Sequence, residues 1–208
     1  MTPSGAKGAT AEGRILDAAV DIFAKLGFSG ASTRAIARRA GVNEATLYRC
    51  FGRKRDLFTA ALERELGRLG TQLDSVRGAA AENPPQAISL LFQGWARVVA
   101  GEPELLRLLQ FGVLELGPAL KPLCLKHVGK AIQETARSLL HGSEQAMLPG
   151  LQAELTVLSF LATILVVQNY YGLFAVIPPT YASTEAIAAD CANVWRSVLV
   201  SGGMKCEA

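Results

Sequence analysis

Residues 33–51, with the sequence TRAIARRAGVNEATLYRCF, decide how this chain folds. Ser32 and Thr33 can cap a first short helix that ends near Ala40, before a tight turn on Gly41. Asn43 can cap a second short helix over 44–50. Two short helices around a glycine turn have the dimensions of a helix-turn-helix, the motif that places its second helix in the major groove of DNA.

The outer face of these two helices is polar, because their apolar residues fall on one side by helical spacing. A helix that reads the major groove needs small residues near its N-terminus for close approach and hydrogen-bond donors further along, and residues 44–49 supply both. On this pattern alone, a solvated pair of charged helices in an ordinary helical protein explains the residues equally well. The outward residues are Arg34, Arg38, Glu44, Ala45, Thr46, Tyr48 and Arg49.

The rest of the chain also predicts helices, because apolar residues recur at intervals of three and four and no stretch alternates as an exposed strand would. Gly27, Gly78 and Gly112 are expected to end or break helices. We therefore predict an all-α fold with about nine helices. The main ones are expected at about 11–26, 33–40, 44–50, 54–75, 84–101, 151–174 and 183–201, with shorter pieces between 103 and 142.

The composition describes a basic N-terminal third and an apolar remainder. Of the 208 residues, 50% are hydrophobic and 19% are charged, so a large core can form. Residues 1–70 hold 12 Lys and Arg against 7 Asp and Glu, whereas residues 71–208 hold 9 against 11. This asymmetry predicts a module that binds a polyanion, joined to a part that buries hydrophobic surface.

Three features bear on the location of the protein. The four cysteines form no CxxC pair, which favours a reducing cytoplasm over a disulfide framework. Residues 1–10 lack the apolar segment of a signal peptide and are expected to be a disordered arm. The uncharged run from Leu155 to Thr184 is long enough to cross a membrane, but its polar residues, the pair Pro178-Pro179 and the glutamates on both flanks favour a helix buried in a core or an interface. We therefore expect no membrane partner.

The chain carries no motif of a known enzyme class: GxSxG, HExxH, P-loop and dinucleotide-binding sequences are all missing, so neither catalysis nor a cofactor is expected. Cys124 and His127 share a helix face, but two ligands are too few for a metal site. Glu115 is either a buried counter-ion for a cationic ligand or an ordinary carboxylate at a helix edge. Aromatic residues of this region can line a ligand cavity or pack the core, and the sequence leaves both open. The candidate ligand-binding residues are Phe92, Trp95, Phe111, Glu115, Cys124, His127, Phe160 and Tyr170.

Three consecutive segments resemble the TetR family of bacterial transcriptional regulators, with a helix-turn-helix of the AcrR type. They are ILDAAVDIFAKLGFSGAS, TRAIARRAGV and NEATLYRCFGRKRDLF, which together cover residues 15–58. The resemblance is confined to about residues 11–60, and the rest of the chain matches only in its helical layout. It implies a DNA-binding domain at 11–56, after the arm at 1–10, and a helical ligand-binding and dimerisation domain at 57–208.

The resemblance also implies roles for single residues. Thr33 and Lys54 resemble the family's phosphate contacts, and Arg49 is the expected reader of a guanine. Thr46 and Tyr48 resemble contacts to the DNA backbone and to base methyl groups. The full predicted DNA-binding set is Thr33, Arg34, Glu44, Ala45, Thr46, Tyr48, Arg49 and Lys54.

Three positions depart from the family's pattern. Glu44 stands where a basic or small residue is common, and beside phosphates it repels unless it caps the helix or accepts from a cytosine amino group. Cys50 replaces a common aromatic residue, and Arg53 replaces a common N-capping serine. An operator sequence therefore cannot be carried over from the family.

By the same resemblance, the expected function is that of a homodimeric repressor that a lipophilic small molecule releases from a palindromic operator. The ligand is expected to enter among helices 4 to 8 and to move helix 4, which acts as the lever between the ligand and the DNA-binding domain. A homodimer also follows from the uncharged helix after Leu155, whose exposed face needs a partner. The alternative is an α-helical interaction or membrane-associated protein without sequence-specific DNA binding. The predicted dimer interface consists of Leu158, Leu161, Leu165, Ile187, Val194 and Val198.

Overall fold

The structure is a computed structural model that describes residues 10–141, 154–163, 166, 186, 189–191, 193, 194 and 197. Its described elements are all helical, which confirms the all-α prediction. The arm at 1–9 and most of the helices expected at 151–174 and 183–201 lie outside the described residues. The helices are α1 (Ala11–Gly30), α2 (Thr33–Arg39), α3 (Glu44–Phe51), α4 (Lys54–Glu82), α5 (Ala87–Ala100), α6 (Pro103–Leu116), α7 (Lys121–Cys124), α8 (Lys130–His141) and α9 (Glu154–Thr163).

Short turns connect several of these helices. Pro84–Gln86 forms a 3-10 turn before α5, and Gly117–Leu120 forms another before α7. A π-helical turn, Leu125–Gly129, joins α7 to α8. Pro84 and Pro118 lie in the first two positions of these 3-10 turns, where proline is tolerated because the first N–H groups of a helix have no acceptor within that helix.

The chain divides into two compact units. The first contains the described residues up to Gly67 together with Pro103–Cys124, and the second contains Arg68–Glu102 and the described residues from Leu125 onward. This division differs from the boundary between residues 56 and 57 that the sequence predicts. The physical reason is that α6 packs along α1, and that α4 continues the first unit as far as Gly67.

The core of the first unit is built around three aromatic rings. The rings of Phe23 and Phe58 meet edge to face with centroids 4.9 Å apart, and the ring of Phe28 lies 5.7 Å from that of Phe58. Ile36 of α2 and Leu47 of α3 are fully buried in the same unit. Burial of such side chains stabilises each by about 1.5–3 kcal/mol, so α2 and α3 are held by packing more than by their short length.

The glycines expected to break helices behave differently from one another. Gly27 has a φ of 73°, a conformation that favours glycine, as predicted. It kinks α1 and does not end it, because the helix continues to Gly30 and not only to about residue 26. Gly78 lies inside α4, which extends to Glu82 and not to about Ser75. Gly112 lies inside α6, where an added Cβ would stand 2.6 Å from Leu120 Cδ1, so this glycine permits close packing.

The second unit has a core of its own. Phe92 of α5 and Phe160 of α9 are buried and meet edge to face with centroids 4.4 Å apart. Trp95 is also buried, and its indole N–H donates to Thr135 Oγ1 at 3.0 Å. An ion pair between Arg68 and Glu102 joins the start of this part of α4 to the end of α5.

One helical stretch of the described residues, Pro103–Leu139, satisfies the length and hydropathy expected of a membrane span. It runs through α6, α7, α8 and the turns between them, and 28% of its most apolar window is buried in the protein. Leu105 and Leu108 of α6 are at most 1% exposed. Core helices of globular proteins also meet such a test, so length and hydropathy alone do not indicate a membrane span here.

Candidate nucleic-acid interface

Helices α2 and α3 form a helix-turn-helix whose turn and second cap follow from the sequence. The predicted cap of α2 is wrong, because Ser32 makes no side-chain capping bond and the Thr33 hydroxyl donates to Glu44. Gly41 has a φ of 67° in the turn, and Asn43 caps α3 because its side-chain oxygen accepts the Thr46 backbone N–H at 2.7 Å. Gly52, with a φ of 72°, ends α3 and donates its N–H to the Tyr48 carbonyl at 2.8 Å. The predicted bounds of both helices are therefore close to the observed ones.

The predicted DNA-binding residues lie on the surface of this motif. Arg34, Ala45, Tyr48 and Arg49 are exposed, whereas the others are half-buried. Cys50 is exposed as well, so the loss of the common aromatic residue leaves no cavity in the core. The half-buried members of the set are Thr33, Glu44, Thr46 and Lys54.

Three of these side chains form a hydrogen-bonded cluster between α2 and α3. The hydroxyl of Thr33 donates to Glu44 Oε1 at 2.6 Å. The Tyr48 hydroxyl lies 3.1 Å from the same Thr33 oxygen. A hydroxyl has one proton to donate, so Tyr48 must be the donor in the second bond. The cluster therefore runs from Tyr48 through Thr33 to the carboxylate of Glu44.

Thr46 has a different role from the other polar residues of α3. Its hydroxyl donates to Asn43 Oδ1 at 2.8 Å, while its backbone N–H donates to the same oxygen. The hydroxyl proton is thus used in the cap of the helix. Of the contacts predicted for Thr46, only those of its methyl group and of its hydroxyl oxygen as an acceptor are compatible with this cap.

Lys54, at the start of α4, is held close to the end of α1. Its Nζ lies 3.4 Å from the Ser29 carbonyl oxygen and 4.8 Å from the centre of the Phe28 ring. The preceding residue, Arg53, caps α4 through Asp56, whose Oδ2 accepts the Arg53 N–H at 3.2 Å. The side chain of Arg53 lowers the pKa of Asp56 below its ordinary value. Asp56 therefore supplies the reciprocal half of a capping box, which satisfies the Arg53 N–H, and not the bond that a serine side chain at position 53 makes to the first turn.

Glu115 of α6 joins this region, which the sequence did not predict. Its two carboxylate oxygens accept the backbone N–H groups of Phe28 and Ser29 at 2.9 and 2.7 Å. Hydrogen bonding from Ser29 is the main reason why the pKa of Glu115 lies below its ordinary 4.5, and Phe28 and the charge of Lys54 act in the same direction. Glu115 is exposed and already has partners, so its interpretation as a buried counter-ion for a ligand is wrong.

The remaining candidates for ligand binding do not form one group. Phe111, Glu115 and Cys124 belong to the first compact unit, whereas Phe92, Trp95, His127 and Phe160 belong to the second. Tyr170 lies outside the described residues. Phe92, Trp95 and Phe160 pack as a core, and burial raises the pKa of the Cys124 thiol. Among the described residues no group of three metal-ligating side chains occurs.

A cleft in the second unit has a lining that the sequence did not suggest. It has a volume of about 330 Å³, near the lower end of the range of ligand sites. Arg77 pairs with Asp74 and, at 2.7 Å, with Glu134, but its buried Nη1 has no hydrogen-bond acceptor in the described part of the chain. The lining residues are Arg77, Ala80, Ala81, Pro84, Ala87, Arg137 and Ser138.

The described residues of the predicted dimer interface differ in exposure. Leu158 is 50% exposed and Val194 is 62% exposed, but Leu161 is only 8% exposed. Leu161 lies in the core of its own unit, which corrects its assignment to an intersubunit surface. Leu165, Ile187 and Val198 lie outside the described residues.

Comparisons of the sequence and of the fold agree with this geometry. The family described as "Bacterial regulatory proteins, tetR family" matches residues 15–61. The HTH-type transcriptional repressor KstR of Mycobacterium tuberculosis is 44% identical over 68 residues, which are 32% of this chain and 31% of KstR. The matched segment spans about a third of the length of such curated relatives.

Solved structures share the fold over most of the chain. The fatty acid degradation regulator FadR of Bacillus halodurans has a TM-score of 0.71 at 19% identity, covering 91% of this chain and 96% of that protein. FadR of Bacillus subtilis, solved in complex with stearoyl-CoA, has a TM-score of 0.67 at 18% identity, covering 91% and 97%. The match to the family described as "Bacterial regulatory proteins, tetR family" thus coincides with the helix-turn-helix and the helices that flank it.

Proposed function

We propose that this protein is a DNA-binding transcriptional regulator, and that it acts as a homodimeric repressor on a palindromic operator. The observation that carries the proposal is the surface of the helix-turn-helix. Exposed Tyr48 and Arg49 project from a short helix that Asn43 caps and Leu47 anchors in the core. A rigid helix with exposed donors is what direct reading of base edges requires. The family match over residues 15–61 and the similarity to the repressor KstR support the same function.

The test is selection of bound sequences from a pool of random duplexes by the full chain. We expect a palindrome whose half-sites lie about one helical turn, or 34 Å, apart, because each subunit of a two-fold dimer presents one α3. Recovery of no preferred sequence at salt near 0.15 M would contradict the proposal. Such an outcome would favour an interaction protein whose basic N-terminal part meets another polyanion.

A homodimer is supported by the two faces of α9. Val157, Phe160 and Leu161 are buried within the second unit. Leu155 and Leu158 are 52% and 50% exposed. At 100° per residue these two exposed residues share one helix face, opposite to the buried one. An apolar face of this kind on the surface indicates a partner, and a second copy satisfies it with closed symmetry.

Release by a small molecule is the remaining part of the proposal. FadR of Bacillus subtilis, which has the same fold, was solved with stearoyl-CoA. In this chain the described lining of the cleft combines three alanines with two arginines, Arg77 and Arg137. A ligand with an apolar body and a carboxylate or carbonyl oxygen matches this combination. We therefore propose an amphipathic acid of modest size, or its ester, as the effector.

This part is tested with a panel of aliphatic and aromatic carboxylic acids and their matched alcohols. Each compound is scored for thermal stabilisation of the protein and for release of the selected operator. A releasing compound must bind the released form about 100-fold better to shift the DNA equilibrium by ~2.7 kcal/mol. Acids that stabilise the wild type and equally the Arg77→Met variant would contradict binding at this cleft.

A further inference from the structure

Glu44 is the acidic member of the predicted DNA-binding set, and the proposed function gives its negative charge no role. It is half-buried at the first position of α3 and its carboxylate receives the only proton of the Thr33 hydroxyl. Tyr48 in turn donates to Thr33, as the chain of hydrogen bonds requires. The negative charge of Glu44 therefore organises two neighbouring side chains that are themselves expected to contact DNA.

This charge has an unavoidable consequence near a duplex. A carboxylate among phosphates is repelled, and it loses water when the groove closes over it. Only a donor on a base edge offsets that penalty. In the major groove cytosine presents the N4 amino donor, which glutamate accepts, whereas guanine presents the O6 and N7 acceptors. Adenine presents an amino donor as well, N6, but its N7 acceptor lies beside it and repels a carboxylate, so cytosine is the better partner. The residue thus penalises duplexes in general and tolerates those with a suitable donor opposite it.

The contact between Glu44 and Thr33 couples this penalty to a second group. While Glu44 holds the Thr33 proton, the hydroxyl cannot donate to a phosphate. When the carboxylate turns to a base amino group, the proton is released for a phosphate oxygen. A matching sequence therefore gains two contacts at once, and a mismatched sequence gains neither.

We propose that Glu44 is a specificity-determining residue, which lowers the affinity for non-matching DNA and selects a cytosine at one position of each half-site. This inference rests on the proposed DNA-binding function. It concerns discrimination between sequences, whereas the proposed function concerns only whether a preferred sequence exists.

The test compares wild type with Glu44→Gln on the selected operator and on a scrambled duplex of equal length, by fluorescence anisotropy at fixed salt. The amide keeps the size of the side chain, and α3 stays capped by Asn43. We expect affinity for the scrambled duplex to rise about threefold or more, and the ratio of operator to scrambled affinity to fall about tenfold. Glu82 is an exposed glutamate at the C-terminal end of α4. Glu82→Gln is therefore the matched control for the loss of one negative charge, and it should leave the ratio of operator to scrambled affinity unchanged.

A repeated selection with Glu44→Gln gives the second readout, which a purely structural role would not move. The cytosine preference at one position of each half-site should disappear, while the other positions keep theirs. An unchanged ratio and an unchanged selected sequence would overturn the inference and leave the proposed function intact. Equal weakening on both duplexes would also overturn it, because it would mean that Glu44 only supports the fold. If wild type selects no sequence, the proposed function and this inference fail together.

Discussion

Replacement of Glu115 by alanine tests whether α6 holds the end of α1 through one carboxylate. The substitution removes the acceptors of two backbone N–H groups, those of Phe28 and Ser29. A hydrogen bond to a charged group contributes about 1.5–3 kcal/mol when shielded, and an exposed one contributes less because water replaces the acceptor. Since Glu115 is exposed, we expect a loss of about 1–2 kcal/mol in the free energy of unfolding. For a chain of this size that corresponds to a fall in Tm of about 2–8 °C.

The assay has a global and a local part. Thermal melting followed by circular dichroism gives the change in Tm, and hydrogen exchange gives the protection of the Phe28 and Ser29 amides. Both amides should exchange faster in Glu115→Ala, whereas Glu104→Ala, an exposed carboxylate in the first turn of the same helix, should leave them unchanged. Unaltered protection of the two amides in Glu115→Ala would refute the reasoning.

The same contact predicts a pH dependence with a definite sign. The pKa of Glu115 is lower in the folded protein than its ordinary 4.5, so the folded state favours the ionised form. Its contribution is therefore complete above the unfolded pKa and is lost as the pH falls through the folded pKa. The difference in stability between wild type and Glu115→Gln should be constant near pH 7, shrink below about pH 4.5, and vanish at lower pH. A difference that grows as the pH falls would contradict this assignment.

Three further predictions concern the DNA surface, the dimer and the kink of α1. Arg49→Ala should cost about 1–3 kcal/mol of binding free energy on the selected operator and relax the base preference at one position of each half-site. Lys54→Ala should weaken binding to all duplexes alike and reduce the slope of log affinity against log salt by about one unit. Fluorescence anisotropy over a series of salt concentrations separates the two effects. Leu158→Asp should give a folded monomer by sedimentation, while Leu161→Asp, within the core, should unfold the second unit. Gly27→Ala should lower the free energy of unfolding by about 1–3 kcal/mol, because φ is 73° and an added Cβ collides with Glu115; a melting curve like that of wild type would exclude this strain.

Local signals in the sequence were sufficient for the helix-turn-helix. Asn43 and the glycines at 41 and 52 act within one turn of their own position, so their effects can be predicted without knowing the fold. Gly78 misled the prediction for α4 because a single glycine weakens a helix by only about 1 kcal/mol. Burial of Leu73 and Ala80 on either side of Gly78 outweighs that loss.

The ligand and dimer residues could not be predicted in the same way. Aromatic residues at helical spacing indicate burial but do not distinguish a cavity from a packed core, and Phe92 and Phe160 pack against each other. Leu158 and Leu161 are both apolar and three residues apart, yet one is exposed and the other buried. A face of the helix can be assigned only when its neighbours are known. The cleft at Arg77 has no periodic signal at all, because its walls come from four separate elements: α4, the 3-10 turn at Pro84, α5 and α8.

The position of Lys54 shows how a contact distant in sequence reaches the DNA surface. Glu115 fixes the backbone of Phe28 and Ser29, and the same two residues offer Lys54 a ring face and a carbonyl oxygen. The carboxylate can approach because Gly27 has no Cβ to block it. A shift of α6 along α1 would therefore change the position of a predicted phosphate contact directly, without any bending of α4. We therefore expect that DNA binding could be controlled through α6 as well as through movement of α4. The Glu115 variants distinguish these two routes, because they remove only the contact that α6 makes with the end of α1.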